Sequence, residues 1–233
     1  ADPGVRLAAV AALASAATDA ASAWHAPDGA DAIDRVLVNG LTVDSWPEVR
    51  RRAAAALGSR CTRPGPARAL VDAVGKDPAL DVRGDALTAL VQCQSPSTRE
   101  LLAKTWDDRK APVELRERAV SLAVPFGDVS LGAVLVKRFN AWRAEALSSA
   151  PALRLAQGAA IAIGQLRAPG AGDALVAALD DAAFDEVVAA AALGLGAMGK
   201  ACPIAAKAKL NTLARGSSQA AAAARHAASQ CGR

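Results

Sequence analysis

The chain has 233 residues, a formal net charge of +4 and 52% hydrophobic residues. A charge that mild does not demand a polyanionic partner, since nucleic-acid binders concentrate positive charge on one surface. Tyrosine is absent and the valines fall in helical phase rather than alternating, which excludes a sheet protein. The longest apolar stretch, Val187–Met198, is mostly alanine broken by glycine, too short and too weakly hydrophobic to span a bilayer.

In chain order, Asp2 and Pro3 open a first helix over 5–24, which Pro27-Asp28-Gly29 closes. Asp31–Leu41 reads as the outer helix of the next unit, and Asp44-Ser45-Trp46-Pro47 leads into the helix that contains Arg50. Arg63-Pro64-Gly65-Pro66 reads as a loop, with Pro66 in the first turn of a helix running to Val74 or Gly75. Ser95 as N-cap and Pro96 at the first helical position open a helix ending near Trp106. Val113–Val124 follows, stopped by Pro125-Phe126-Gly127-Asp128. A long helix spans Ser130–Ser148, and Pro151 restarts the chain. Ala168-Pro169-Gly170-Ala171-Gly172 is the next loop, and the final units, 173–199 and 202–231, are nearly all alanine.

One pattern recurs along the chain. Glu48–Gly58 reads EVRRRAAAALG: a valine, an arginine at position 50, alanine three residues later, leucine at seven and a glycine. The same register places markers at 6, 50, 83, 116, 156, 188 and 220, spaced by 44, 33, 33, 40, 32 and 32 residues. A period near 30–45 in an all-helical pattern marks a solenoid, because no single unit buries its own apolar face. Alanine at marker plus three (Ala53, Ala86, Ala119, Ala159, Ala191) lets backbones approach, while Gly58, Gly164 and Gly196 fall where the helix should end or bend.

The valine-arginine pair, the alanine-leucine close and the acidic turn, clearest at Asp2–Arg6 and Asp77–Arg83, resemble the HEAT repeat family. The likeness is to its short bacterial variety, also seen in phycobilin lyases. It implies an all-α α-solenoid, a right-handed superhelix of helical hairpins. The unbroken periodicity adds the expectation of a single domain over 1–233, with about six to seven units.

Arg6, Arg50, Arg83 and Arg116 could form a basic track. The HEAT resemblance implies instead a ladder in which each pairs with an acid in a neighbouring turn, such as Asp44, Asp81 or Asp107. Trp46 and Trp106, at connections between the helices of a unit, are expected on one edge of the array as anchors for a partner or as packing over loops. Trp24 and Trp142 complete the tryptophans. The inner surface of the second helices carries polar positions early (Arg51, Arg52, Asp85, Thr88, Glu117, Arg118, Ser121) and bland ones later, a trough suited to a peptide or helix. Asp180-Asp181 and Asp185-Glu186 flank a turn ahead of a helix, where acids meet the helix N-terminus favourably. No histidine or nucleophile accompanies them, His25 and His226 are lone, and no metal, nucleotide or cofactor motif is present.

The four cysteines fall in two pairs. Cys61 and Cys93 are one repeat apart, each closing a second helix; Cys202 and Cys231 bracket the last helix pair. With neither a close CxxC pair nor a histidine at ligand spacing, zinc is poorly supported. Two disulfides are expected, hence an oxidising compartment, with buried reduced cysteines the competing reading. No signal peptide is visible, and the numbering leaves room for one cleaved ahead of residue 1.

The sequence therefore points to a non-enzymatic scaffold that binds a protein or peptide partner in the periplasm, at the cell surface or outside the cell. Cytoplasmic residence is the alternative location. A lyase or chaperone-like protein acting on a cofactor-bearing partner and a nucleic-acid binder using Arg50–Arg52 with Arg60, Arg63 and Arg118 are the alternative functions.

Overall fold

A computed structural model describes residues 2–18, 27–181 and 183–233. Trp24 and His25 lie outside them, as does the expected end of the first helix. The described residues form thirteen α-helices and a short 3-10 turn at Gly199–Ala201, with no strand. They gather into two compact units, Ala1–Leu102 and Ala103–Arg233.

The first unit holds α1 (Pro3–Thr18), α2 (Pro27–Thr42), α3 (Pro47–Leu57), α4 (Pro64–Lys76) and α5 (Leu80–Gln92). Helices α2 and α4 are outer; α1, α3 and α5 are the second helices, and α3 packs against α1, α2 and α5. Two marker-plus-three alanines here are sealed, Ala53 and Ala86, as are Leu57 and Leu90 at plus seven, whereas Ala9, three past Arg6 in α1, is exposed. Larger side chains there would push α3 and α5 apart. The boundary between the units falls inside α6 (Thr98–Asp107).

The second unit continues with α7 (Val113–Phe126), α8 (Val129–Glu145), α9 (Ala150–Gln165), α10 (Ala171–Ala178), α11 (Asp185–Ala197), α12 (Ile204–Leu213) and α13 (Gln219–Gln230). Its second helices α7, α9, α11 and α13 stack in series, each of the last three backed by its outer helix. Ala119, Ala159 and Ala191 are wholly buried, again in register. Each unit is thus an all-α solenoid of stacked hairpins.

Several boundaries differ from the sequence reading. Arg63–Pro66 is not a loop: Arg63 is the N-cap and Pro64 and Pro66 sit in the first turn of α4. Amide groups there have no intrahelical partner, so proline removes nothing. Helix α6 starts at Thr98, not at Pro96; Ser95 hydrogen-bonds Ser97, and buried Thr98 donates to the Leu90 carbonyl at 3.0 Å. Helix α7 runs through Pro125 and ends at Gly127, whose φ of 73° is the left-handed cap glycine favours.

Gly164 and Gly196 lie in the last turns of α9 and α11, each one residue before the helix ends. A Cβ on Gly164 would stand 2.1 Å from the Gly194 carbonyl oxygen, and one on Gly196 would stand 3.0 Å from the Ala227 Cα. Backbone contact between neighbouring second helices is what these glycines permit.

Candidate functional site: the face of the second helices

The marker arginines settle their own chemistry first. Arg6 Nε meets Asp44 Oδ2 at 2.7 Å, and Arg50 grips Asp77 through Nε and Nη2 at 2.7 and 2.9 Å. Arg50 also donates to the Asp44 carbonyl at 2.9 Å. The hydrogen bond to Asp77 leads the causes that raise the Arg50 pKa above its ordinary value. Arg83 and Arg116 instead donate Nε to backbone carbonyls, those of Val74 (2.8 Å) and Trp106 (2.9 Å). Two members of the series therefore form the ladder with aspartates, Arg50 taking Asp77. Asp107, the acid expected for the ladder at that turn, pairs with Arg138 at 2.6 Å.

On the exposed side of α3 and α5, Arg51, Arg52, Asp85 and Thr88 come together with Glu48 and Gln92 around a cleft of about 340 Å³. Their helical phase explains this: each lies one, two or five residues past its marker, facing away from the packed alanines. Arg51 bridges Asp85 at 2.8 Å and Glu48 at 3.0 Å, and Arg52 reaches Glu48 at 3.3 Å. Its Asp85 hydrogen bond is the first cause of a raised Arg51 pKa. Thr88 turns its hydroxyl onto the Gly84 carbonyl at 2.9 Å. The site holds both signs of charge, and its arginines are paired with carboxylates.

Glu117, Arg118 and Ser121 lie on α7 in the second unit. Glu117 accepts from Arg154 of α9 at 2.7 Å, and Arg154 also reaches Glu114 at 3.2 Å. Ser121 donates to the Arg118 carbonyl at 2.9 Å. Arg154 was not among the residues expected from the sequence. It stands two residues before its marker, a position other units fill differently, so the repeat gave no signal for it.

The tryptophans divide. Trp46 caps α3 and is 53% exposed. Trp106 is fully buried, and its indole nitrogen has no hydrogen-bond partner. The expectation of Trp106 on an exposed edge is therefore corrected: it lies within α6 and is buried.

The cysteines lie as two pairs. Cys61 and Cys93 have Cα atoms 6.1 Å apart, and Cys202 and Cys231 5.3 Å, both within disulfide range. Among the described residues no cluster of three or more His, Cys, Asp or Glu side chains is placed to hold a metal. No described helix is long and apolar enough to cross a membrane. The paired carboxylates are also engaged: Asp180 meets Lys209 at 2.5 Å, Asp181 meets Arg143 at 2.8 Å, and Asp185 accepts from Ser218 and the Ala220 amide at 2.8 and 3.0 Å.

Stacked hairpins with buried marker alanines and a polar face on the second helices define a helical-repeat protein. Residues 35–123 match the family model for HEAT repeats. No curated protein matches the sequence. One similar solved chain comes from work on a phosphorylation switch controlling the interaction between cadherin and beta-catenin in vitro and in vivo. It shares 15% identity at a TM-score of 0.40 over 97% of this chain, which spans about half (49%) of that one.

Proposed function

We propose that this protein is a non-enzymatic scaffold that binds a protein or peptide partner on the exposed face of its second helices. The observation that carries this reading is the cleft between α3 and α5, where donors and acceptors alternate on two rigid helices. Arg51 is already fixed by Glu48 and Asp85, so little side-chain entropy remains to be lost on binding. Mixed charge in paired form suits the alternating polar groups of a peptide better than a polyanion. Trp46, exposed two residues before Glu48, adds an aromatic anchor at the end of α3.

The same reading places the protein in an oxidising compartment outside the cytoplasm, where its two cysteine pairs are bonded. Both pairs at disulfide distance support it, because such bonds persist where thiols are not kept reduced.

The test is affinity capture from native extract with the intact protein and with a variant carrying Arg51→Glu and Arg52→Glu. A partner retained by the intact protein and lost by the variant is the expected result. Identical recovery by both would remove the cleft from the binding surface.

A further inference from the structure

Arg83 and Arg116 both lack the aspartate partner that Arg6 and Arg50 have, and of the two only Arg116 is buried. Asp44 and Asp77, the partners of Arg6 and Arg50, each sit two residues before an N-cap and also accept the amide of that cap residue. At α9 the N-cap is Ser149, and the matching position is Leu147, 80% exposed. Counting from the marker instead gives Ala150. Neither supplies a carboxylate, so the acid that would complete the ladder for Arg116 is missing from the sequence.

The consequence is a buried cation with no counter-charge in contact. Arg116 is 8% exposed, and among the described residues no carboxylate lies at ion-pair distance. Its Nε is taken by the Trp106 carbonyl. Its side chain lines a cleft of about 520 Å³ that Lys110 and Trp142 also line. Three acids border the cleft and each is engaged elsewhere. Asp107 holds Arg138, both Glu145 oxygens take Arg109 Nη2 at 3.0 Å, and Asp108 accepts the Lys110 amide at 2.9 Å. Burial, then the neighbouring Arg109 charge, pulls the Arg116 pKa below its ordinary value.

We propose that this cleft is a carboxylate-binding site anchored by Arg116. With Nε committed, the two terminal nitrogens present a flat end-on fork that matches the two oxygens of one carboxylate. A bound carboxylate supplies the charge that the fold withholds from a desolvated guanidinium. Asp107, Asp108 and Glu145 around the rim repel a dianion more than a monoanion, so a carboxylate is favoured over phosphate. The volume admits a small organic acid or an acidic side chain presented by a peptide. The site lies wholly in the second unit and is separate from the α3–α5 cleft.

The test is a titration of the full chain followed by the Arg Nε–H and indole N–H signals in 1H–15N NMR spectra. Probes are acetate, the peptide acetyl-Gly-Glu-Gly-amide, its Gln counterpart and inorganic phosphate, each against chloride at matched ionic strength. Arg116 and Trp142 signals should move saturably with acetate and with the Glu peptide, and stay with the Gln peptide and chloride. Arg116→Lys, which keeps the charge and loses the fork, should weaken acetate about tenfold. Tighter binding of the Glu peptide than of acetate assigns the site to an acidic segment; the reverse assigns it to a small acid. No saturable shift in the intact protein, tighter binding of phosphate, or unchanged acetate binding in a folded Arg116→Lys variant would overturn the proposal.

Discussion

Arg50 and Asp77 meet through two parallel hydrogen bonds, Nε to Oδ2 and Nη2 to Oδ1, with both side chains nearly buried. The pair ties α3 to the turn after α4, and Asp77 also takes the amide of Ala79 at the start of α5 at 2.8 Å. Removing one member leaves the other charge stranded in the interior. Asp77→Ala should therefore cost about 3–5 kcal/mol in urea denaturation. Arg154→Ala breaks pairs whose members are 30–54% exposed, and should cost no more than about 1 kcal/mol. Equal losses in the two variants would contradict the burial argument.

Acid should weaken the fold. Burial pushes the Asp44 carboxyl up, but the hydrogen bonds from Arg6 and the Trp46 amide, with the charges of Arg6 and Arg50, outweigh it and hold its pKa below 3.8. Asp185 is held low first by the Ser218 hydroxyl and then by the Ala220 amide. For such groups the unfolded chain binds more protons between the two values, so stability rises with pH. Their contribution is whole above about pH 5 and is lost as pH falls through the folded values. Asp107 has the opposite sign. Burial raises its pKa, so its ionisation opposes folding at neutral pH and acid relieves that cost. The urea midpoint should be lower at pH 3 than at pH 6, and Asp44→Asn should flatten the difference. A higher midpoint at pH 3 would contradict the assignment of Asp44.

The close approach of α9 and α11 is testable with one methyl group. Gly164→Ala would force a Cβ to within 2.1 Å of the Gly194 oxygen, backbone that cannot rotate aside. The cost should be about 3 kcal/mol or more. Gly65→Ala meets no atom within 4 Å and lies in the first turn of α4, so it should be neutral or stabilising by up to about 1 kcal/mol. Chemical denaturation of the two variants side by side makes the comparison; comparable stabilities would mean the helices are not in contact at Gly164.

Much of the fold was legible because the repeat fixes which face of each second helix is buried. The wholly buried Ala53, Ala86, Ala119, Ala159 and Ala191 follow from phase alone. So does the gathering of Arg51, Arg52, Asp85 and Thr88 at one cleft, since equal phase on neighbouring helices means a shared side. Phase does not say which turn a long side chain reaches. Arg50 goes to Asp77, and Arg83 finds the Val74 carbonyl, because a flexible arginine selects among several acceptors within reach. Trp106 was misplaced for a related reason: α6 runs past it to Asp107, putting the indole inside a helix. Gly164 and Gly196 read as helix ends and do fall in last turns, but composition alone does not show that each is also a contact point.

One register makes equivalent positions of adjacent second helices neighbours, and the proposed oxidising compartment would bond the cysteines placed there. Cys61 and Cys93 test both parts at once, being 32 residues apart in sequence and 6.1 Å apart at Cα. Cys202 and Cys231 test the last hairpin in the same way, 29 residues and 5.3 Å apart. Closing loops of that length should stabilise by about 3–4 kcal/mol each. The direct measurement is peptide mapping of the protein from its native source, digested without reduction after blocking free thiols. Linked peptides joining Cys61 to Cys93 and Cys202 to Cys231 are the expected result. Four blocked thiols would contradict the compartment, and a crossed pairing would contradict the register.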